Sequence, residues 1–83
     1  MSITIIINTV NTNPITVKVN LSDTVSQAKE KYVSQGGLAK FNQWIYDADV
    51  LEDTKTLEEV GISDKDEVTA NEASRGGLYQ LKS

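Results

Sequence analysis

The 83-residue sequence predicts an α+β fold, a roll in which one helix lies across a mixed β-sheet. Three observations lead there. The first twenty residues are dominated by β-branched, partly alternating segments. A single later stretch carries helical periodicity behind capping residues. Two further short segments of strand-forming residues lie near 45 and 69, separated by turn-forming residues.

Residues 3–10 (Ile-Thr-Ile-Ile-Ile-Asn-Thr-Val) are apolar and β-branched and read as a strand. Asn11-Thr12-Asn13-Pro14 follows as a turn, since Asn tolerates positive φ and Pro lacks a donor. Ile15, Val17 and Val19 alternate on one face of a second strand over 15–20, which closes an N-terminal hairpin. Ser22-Asp23-Thr24 then supplies capping residues. Gln27, three positions after Thr24, completes a capping box. Val25, Ala28 and Tyr32 share one helical face, so the helix is placed at 25–35 and ended by Gly36-Gly37. Gln43-Trp44-Ile45-Tyr46 is a third strand. Asp47-Ala48-Asp49 turns into Val50-Leu51, a short fourth. Residues 57–62 read as a short helical turn with Gly61 as its stop. Residues 67–72 form a last strand with Val68 and Ala70 inward, weak by propensity because Ala and Asn are poor strand formers.

Composition excludes several functions. The chain has no Cys and no His, which removes thiolate chemistry, disulfides and the commonest general base and metal ligand. No apolar run spans a bilayer, and Ile5-Ile6-Ile7 lacks the flanks of a signal peptide. The net charge of −4, without a basic stripe, argues against nucleic acid. The acidic pairs Asp47 with Asp49, Asp64 with Asp66 and Glu58 with Glu59 read as solvated turn and surface residues. Asp64-Lys65-Asp66 is too short for a calcium loop. The expectation is a soluble, cytoplasmic or nuclear monomer that is not an enzyme and needs no metal and no cofactor.

The motifs and their order resemble ubiquitin over essentially all of residues 1–77. The stretches that carry the resemblance are Leu21-Ser22-Asp23-Thr24-Val25, Leu51-Glu52-Asp53, Lys55-Thr56-Leu57 and Arg75-Gly76-Gly77. From Leu51 to Gly77 the spacing matches without a gap. The hairpin turn is two residues longer than in ubiquitin and the loop before Trp44 one shorter. The resemblance implies a β-grasp domain over 1–73, with residues 74–83 forming a tail that carries Gly-Gly and a removable extension.

Sites follow from the same resemblance. Gly77 matches the glycine whose carboxylate is adenylated and passed between enzyme cysteines to a lysine amine, with Gly76 and Arg75 before it. Here Gly77 is bonded to Leu78, so a protease must first cut between them. The processed chain would be at −5, because Lys82 leaves with residues 78–83. Implied partners are an activating enzyme, a conjugating enzyme, a processing or deconjugating protease and the target proteins. Ala73 replaces an arginine that helps select the activating enzyme and points to a dedicated one. Ile45 matches the centre of ubiquitin's apolar interaction patch, between inward-looking Trp44 and Tyr46, with Val10 of the hairpin nearby. Asn71 and Thr69 replace a valine and a histidine, which makes the patch smaller and more polar. Asp49 and Asp64 replace the lysines most used in chains. Lys29 and Lys31 match lysines, and Lys29 is expected to pair with Asp53.

Three readings stay open. A covalent modifier processed to Gly77 leads. An uncleaved module that binds through Ile45, with the di-glycine as a flexible tail joint, is second. A sulfur carrier activated to a thiocarboxylate is third. Against any patch, Ile45 can also be a single exposed isoleucine, which is ordinary on protein surfaces.

Overall fold

The computed structural model describes residues 2–10 and 12–72. Ala73, Arg75, Gly76, Gly77 and Leu78 lie outside them, as does the domain boundary placed after residue 73. The elements are β1 (Ser2–Asn8), β2 (Ile15–Asn20), α1 (Val25–Ser34), β3 (Gln43–Tyr46), β4 (Asp49–Val50), α2 (Leu57–Val60) and β5 (Glu67–Asn71). They form one five-stranded sheet in the order β2-β1-β5-β3-β4. β1 and β5 run parallel at its centre, and the other neighbours are antiparallel. The predicted α+β architecture and the order of its elements are therefore observed.

Alternation decides the two faces of this sheet, since successive strand side chains point to opposite sides. Ile3, Ile5 and Ile7 of β1, Val17 and Val19 of β2, Trp44 of β3, and Val68 and Ala70 of β5 are buried inward. Against them α1 sets Val25, Ala28 and Tyr32, the three residues its periodicity singles out. Leu51, Leu57 and Ile62 complete the core, and no polar or charged residue is buried among the described residues. The Tyr32 and Trp44 rings meet edge to face, centroids 5.9 Å apart. Among the described residues Trp44 Nε1 is buried without a hydrogen-bond partner.

The capping box at Thr24 is present as predicted. Its hydroxyl accepts from the Gln27 N–H, and the Gln27 side chain accepts from the Thr24 N–H. Thr56 and Glu59 build the same box at the start of α2, which the sequence reading did not name. The two helix starts are joined, Val25 N–H donating to the Lys55 carbonyl and Leu57 N–H to that of Asp23. Lys29 pairs with Asp53 at 2.7 Å as expected, and Lys31 pairs with Asp23 at 2.6 Å.

Element ends differ from the expectations. α1 stops at Ser34, with Gln35 as its C-cap, and the Gln35 carboxamide bonds both the N–H and the C=O of Lys18 on β2. The two glycines after it do different work. Gly36 takes the positive φ, +114°. Gly37 leaves room for a ring, since a Cβ there would lie 2.3 Å from Tyr32 ring atoms. β1 ends at Asn8 rather than residue 10, and a hydroxyl contact between Thr9 and Thr12 follows it. β4 is Asp49–Val50 rather than 50–51, because the turn needs only Asp47 and Ala48, both at positive φ (52° and 70°). α2 closes at Val60, with Gly61 left-handed at φ 88°, and β5 closes at Asn71.

Candidate functional site

The outer face of the sheet carries the residues singled out as a partner surface. Ile45 of β3 is paired with Thr69 of β5 on one side and with Val50 of β4 on the other. Thr69 is paired in turn with Asn8 of β1. Asn8, Thr69, Ile45 and Val50 thus form one row across four strands, all pointing away from the helix. Ile45 is half-buried between its neighbours, and Val50 is 57% exposed. Ile45 is therefore one of an adjacent apolar pair and not a solitary isoleucine.

The remaining two residues sit apart from that pair. Asn71 pairs with Gln43, two residues further along the outer face. Val10, 66% exposed, shares a shallow groove of about 390 Å³ with Asn71, Leu38, Phe41, Lys40 and Glu72. The structure groups Ile45 with Thr69, and Val10 with Asn71. Lys40 closes that groove, with Nζ 5.3 Å above the Phe41 ring and 3.5 Å from Glu72.

Val50, Leu38 and Phe41 were missed by sequence reasoning. The signal for Val50 was present, since Val50-Leu51 at a strand end must put one residue out and one in. Leu38 and Phe41 lie in a loop, where no periodicity reports exposure. Trp44 is inward as expected. Tyr46 is only partly so, because its ring packs on the core while its hydroxyl donates to Asp66 at 2.6 Å.

That contact corrects the reading of Asp64 and Asp66 as merely solvated. Asp66 accepts from Tyr46 and from the Ser63 N–H, and Asp64 accepts from the Thr4 N–H. The Tyr46 hydrogen bond, with that from Ser63, holds the Asp66 carboxyl below its usual pKa against the effect of burial. The Tyr46 phenol is raised by the same bond, by burial and by the nearby charges of Asp66 and Asp47. At Asp23 burial pushes the carboxyl up, but the bonds from Lys31 and the Asn20 N–H outweigh it and leave it lowered. Glu59 is lowered by the Thr56 N–H and hydroxyl of its capping box. Each of these shifts traces to a bond that fastens a turn or a helix start.

No group of three or more acidic side chains is arranged to hold a metal ion among the described residues. No helix among them is long and apolar enough to cross a membrane.

A five-stranded mixed sheet with parallel central strands and one long helix across it defines a ubiquitin-like β-grasp domain. The ubiquitin family model matches residues 5–74, most of the chain, and the protein belongs to that family. Among solved structures, the fold is similar to the UBL domain of Plasmodium falciparum Dsk2. That likeness has a TM-score of 0.78 at 18% identity and covers 88% of this chain and 100% of that one. It is also similar to a structure described as molecular mimicry of SUMO that promotes DNA repair. There the TM-score is 0.74 at 12% identity, covering 84% of this chain and 90% of that one. At such identities the likeness is one of fold. No curated protein matches the chain in sequence.

Proposed function

We propose that this chain is a ubiquitin-like protein modifier, processed after Gly77 and joined through that glycine to amines of target proteins. The observation that carries the reading is the placement of Arg75-Gly76-Gly77 directly after a family match that ends at residue 74. β5 closes at Asn71, and the six residues from there to Gly77 can span at most about 20 Å. That is enough to present a carboxylate away from the domain, and two residues without Cβ suit a narrow enzyme channel.

The chemistry is supplied by the partners. A protease hydrolyses the Gly77–Leu78 bond and frees the Gly77 carboxylate. An activating enzyme adenylates it with ATP and releases pyrophosphate, a cysteine thiol displaces AMP to give a thioester that passes to a conjugating-enzyme cysteine, and a target amine displaces that thiol to give an isopeptide bond. This chain contributes the tail, Ala73 as a selector of a dedicated activating enzyme, and the outer face centred on Ile45. Its place of action is the cytoplasm, or the nucleus in a eukaryote.

The test is the intact mass of the protein, expressed with an N-terminal tag in its own cells. A species ending at Gly77, together with heavier species bearing a Gly-Gly remnant on lysine, supports the modifier. Full-length mass alone, with no adducts, sinks it.

The apolar pair of half-buried Ile45 and exposed Val50 favours a second reading, an uncleaved module that recruits proteins through the outer face. The likeness in fold to a UBL domain supports it. Gly77→Ala abolishes adducts of a modifier and leaves such a module intact, whereas Ile45→Ala costs the module its partners.

A further inference from the structure

A second surface lies on the far side of Val50. The β3–β4 hairpin and residues 52–60 enclose an open cleft of about 690 Å³, within the usual range for binding sites. Tyr46, Val50, Leu51 and Val60 give its otherwise mostly polar lining an apolar part. Around them stand Asp47, Asp49, Glu52 and Glu59, with Lys55 as the cation that lines the cleft.

The carboxylates of this protein are not left free at random. Asp23, Asp53 and Glu72 are paired with lysines. Asp64, Asp66 and Glu67 accept hydrogen bonds from Thr4, Tyr46 and Asn8. Five others have neither an ion pair nor a side-chain hydrogen bond among the described residues: Glu30, Asp47, Asp49, Glu52 and Glu58. Three of those five converge on this one cleft.

We infer that the cleft docks a segment of a partner protein in which lysine or arginine flanks an apolar side chain. Several unpaired carboxylates converging on one cleft build a negative potential that attracts such a segment. An arriving ammonium or guanidinium gains charge-assisted hydrogen bonds without displacing a resident partner. Its methylene stem packs on Val50 and Val60 while its charge meets the rim. The apolar part of the lining supplies the site for the central side chain and continues over β4 to Ile45, the cross-strand partner of Val50. A polyanion is repelled, and so is a second copy of a chain at −4. The inference does not depend on processing at Gly77.

The experiment titrates the full ¹⁵N-labelled chain with acetyl-Lys-Arg-Leu-Lys-Arg-amide, followed by amide shifts. Acetyl-Gln-Gln-Leu-Gln-Gln-amide is the neutral control. Shifts are expected to concentrate at residues 46–52 and 55–60. Affinity is expected to fall about tenfold when salt is raised several-fold, because the rim charges are exposed and screened. Asp47→Asn with Asp49→Asn and Glu52→Gln should bring a similar loss, while Glu30→Gln with Glu58→Gln leaves binding in place. Val50→Ser should weaken binding about threefold or more, since its exposed methyls belong to the apolar part of the lining. Three results overturn the proposal: no binding, shifts spread over all carboxylates and indifferent to the triple variant, or equal binding of the neutral peptide. Shifts that depend on protein concentration alone would instead assign the cleft to self-association.

Discussion

Trp44 and Ile45 are neighbours in β3, and they face opposite worlds. The inner face of the sheet closes on an apolar core in which, among the described residues, the Trp44 Nε1–H is buried without a partner. The outer face of the same strands mixes Ile6, Ile45 and Val50 with Thr4, Asn8, Thr69 and Asn71. Burial constrains the first face by volume, so few sequences satisfy it. Water tolerates almost anything on the second. What stands there reports on partners and turn chemistry more than on stability.

The sharpest test of this contrast is Trp44→Ala, expected to cost about 3–5 kcal/mol as a large core cavity. Against the ~5–10 kcal/mol available to a small domain, chemical denaturation should find about half of the stability gone and the midpoint lowered in proportion. Next is Gly37→Ala, whose new Cβ meets the Tyr32 ring held against Trp44. Overpacking of this kind costs about 1–3 kcal/mol, readable as a lower denaturation midpoint at unchanged slope. A midpoint equal to wild type would show that the ring yields freely.

Tyr46→Phe sits on the border between the faces and should cost about 1 kcal/mol near neutral pH, through its bond to Asp66. It should also change the acid limb. Asp66 is held below its ordinary value, so its contribution is complete above the unfolded carboxyl pKa of about 4. That contribution is lost as pH falls through the lower folded value. Denaturation between about pH 5 and 2 should therefore be flatter in the variant than in wild type; parallel curves would remove Asp66 from the account. Ala48→Gly acts the other way, stabilising by about 0.5–1 kcal/mol because Ala48 adopts φ 70°. Ile45→Ala, on a half-buried strand position, should cost about 1 kcal/mol or less. If a partner surface is present, the same variant should lose most of the proteins captured from cells by wild type. Retained capture would reduce Ile45 to an ordinary surface residue.

Local spacing made the core legible in the sequence. Thr24 and Gln27 are three residues apart, Val25, Ala28 and Tyr32 share a helical face, and strand alternation names Val17, Val19, Val68 and Ala70. The Thr56–Glu59 box has the same spacing, but a four-residue helix gives no periodicity to draw attention to it. The Tyr46–Asp66 bond joins residues twenty apart, and no pattern of single residues announces such a contact. The acid-rimmed cleft was legible only as scattered aspartates and glutamates, because whether a carboxylate is free depends on which neighbours the fold brings to it. The proposed conjugation residues Arg75, Gly76 and Gly77, with Ala73 and Leu78, rest on motif alone and lie outside the described residues.

The parallel pairing of β1 with β5 sets an order in time. The central position beside the first strand to be synthesised stays vacant until residues 67–71 have been made. Until then β1 has only its hairpin partner β2, and a lone hairpin is marginal in water. Gly77 is added only after those last partners are in hand. A chain whose translation stops short of β5 therefore lacks both a closed sheet and the Arg75-Gly76-Gly77 end, so under the proposed modifier role an unfinished molecule has no Gly77 carboxylate to ligate.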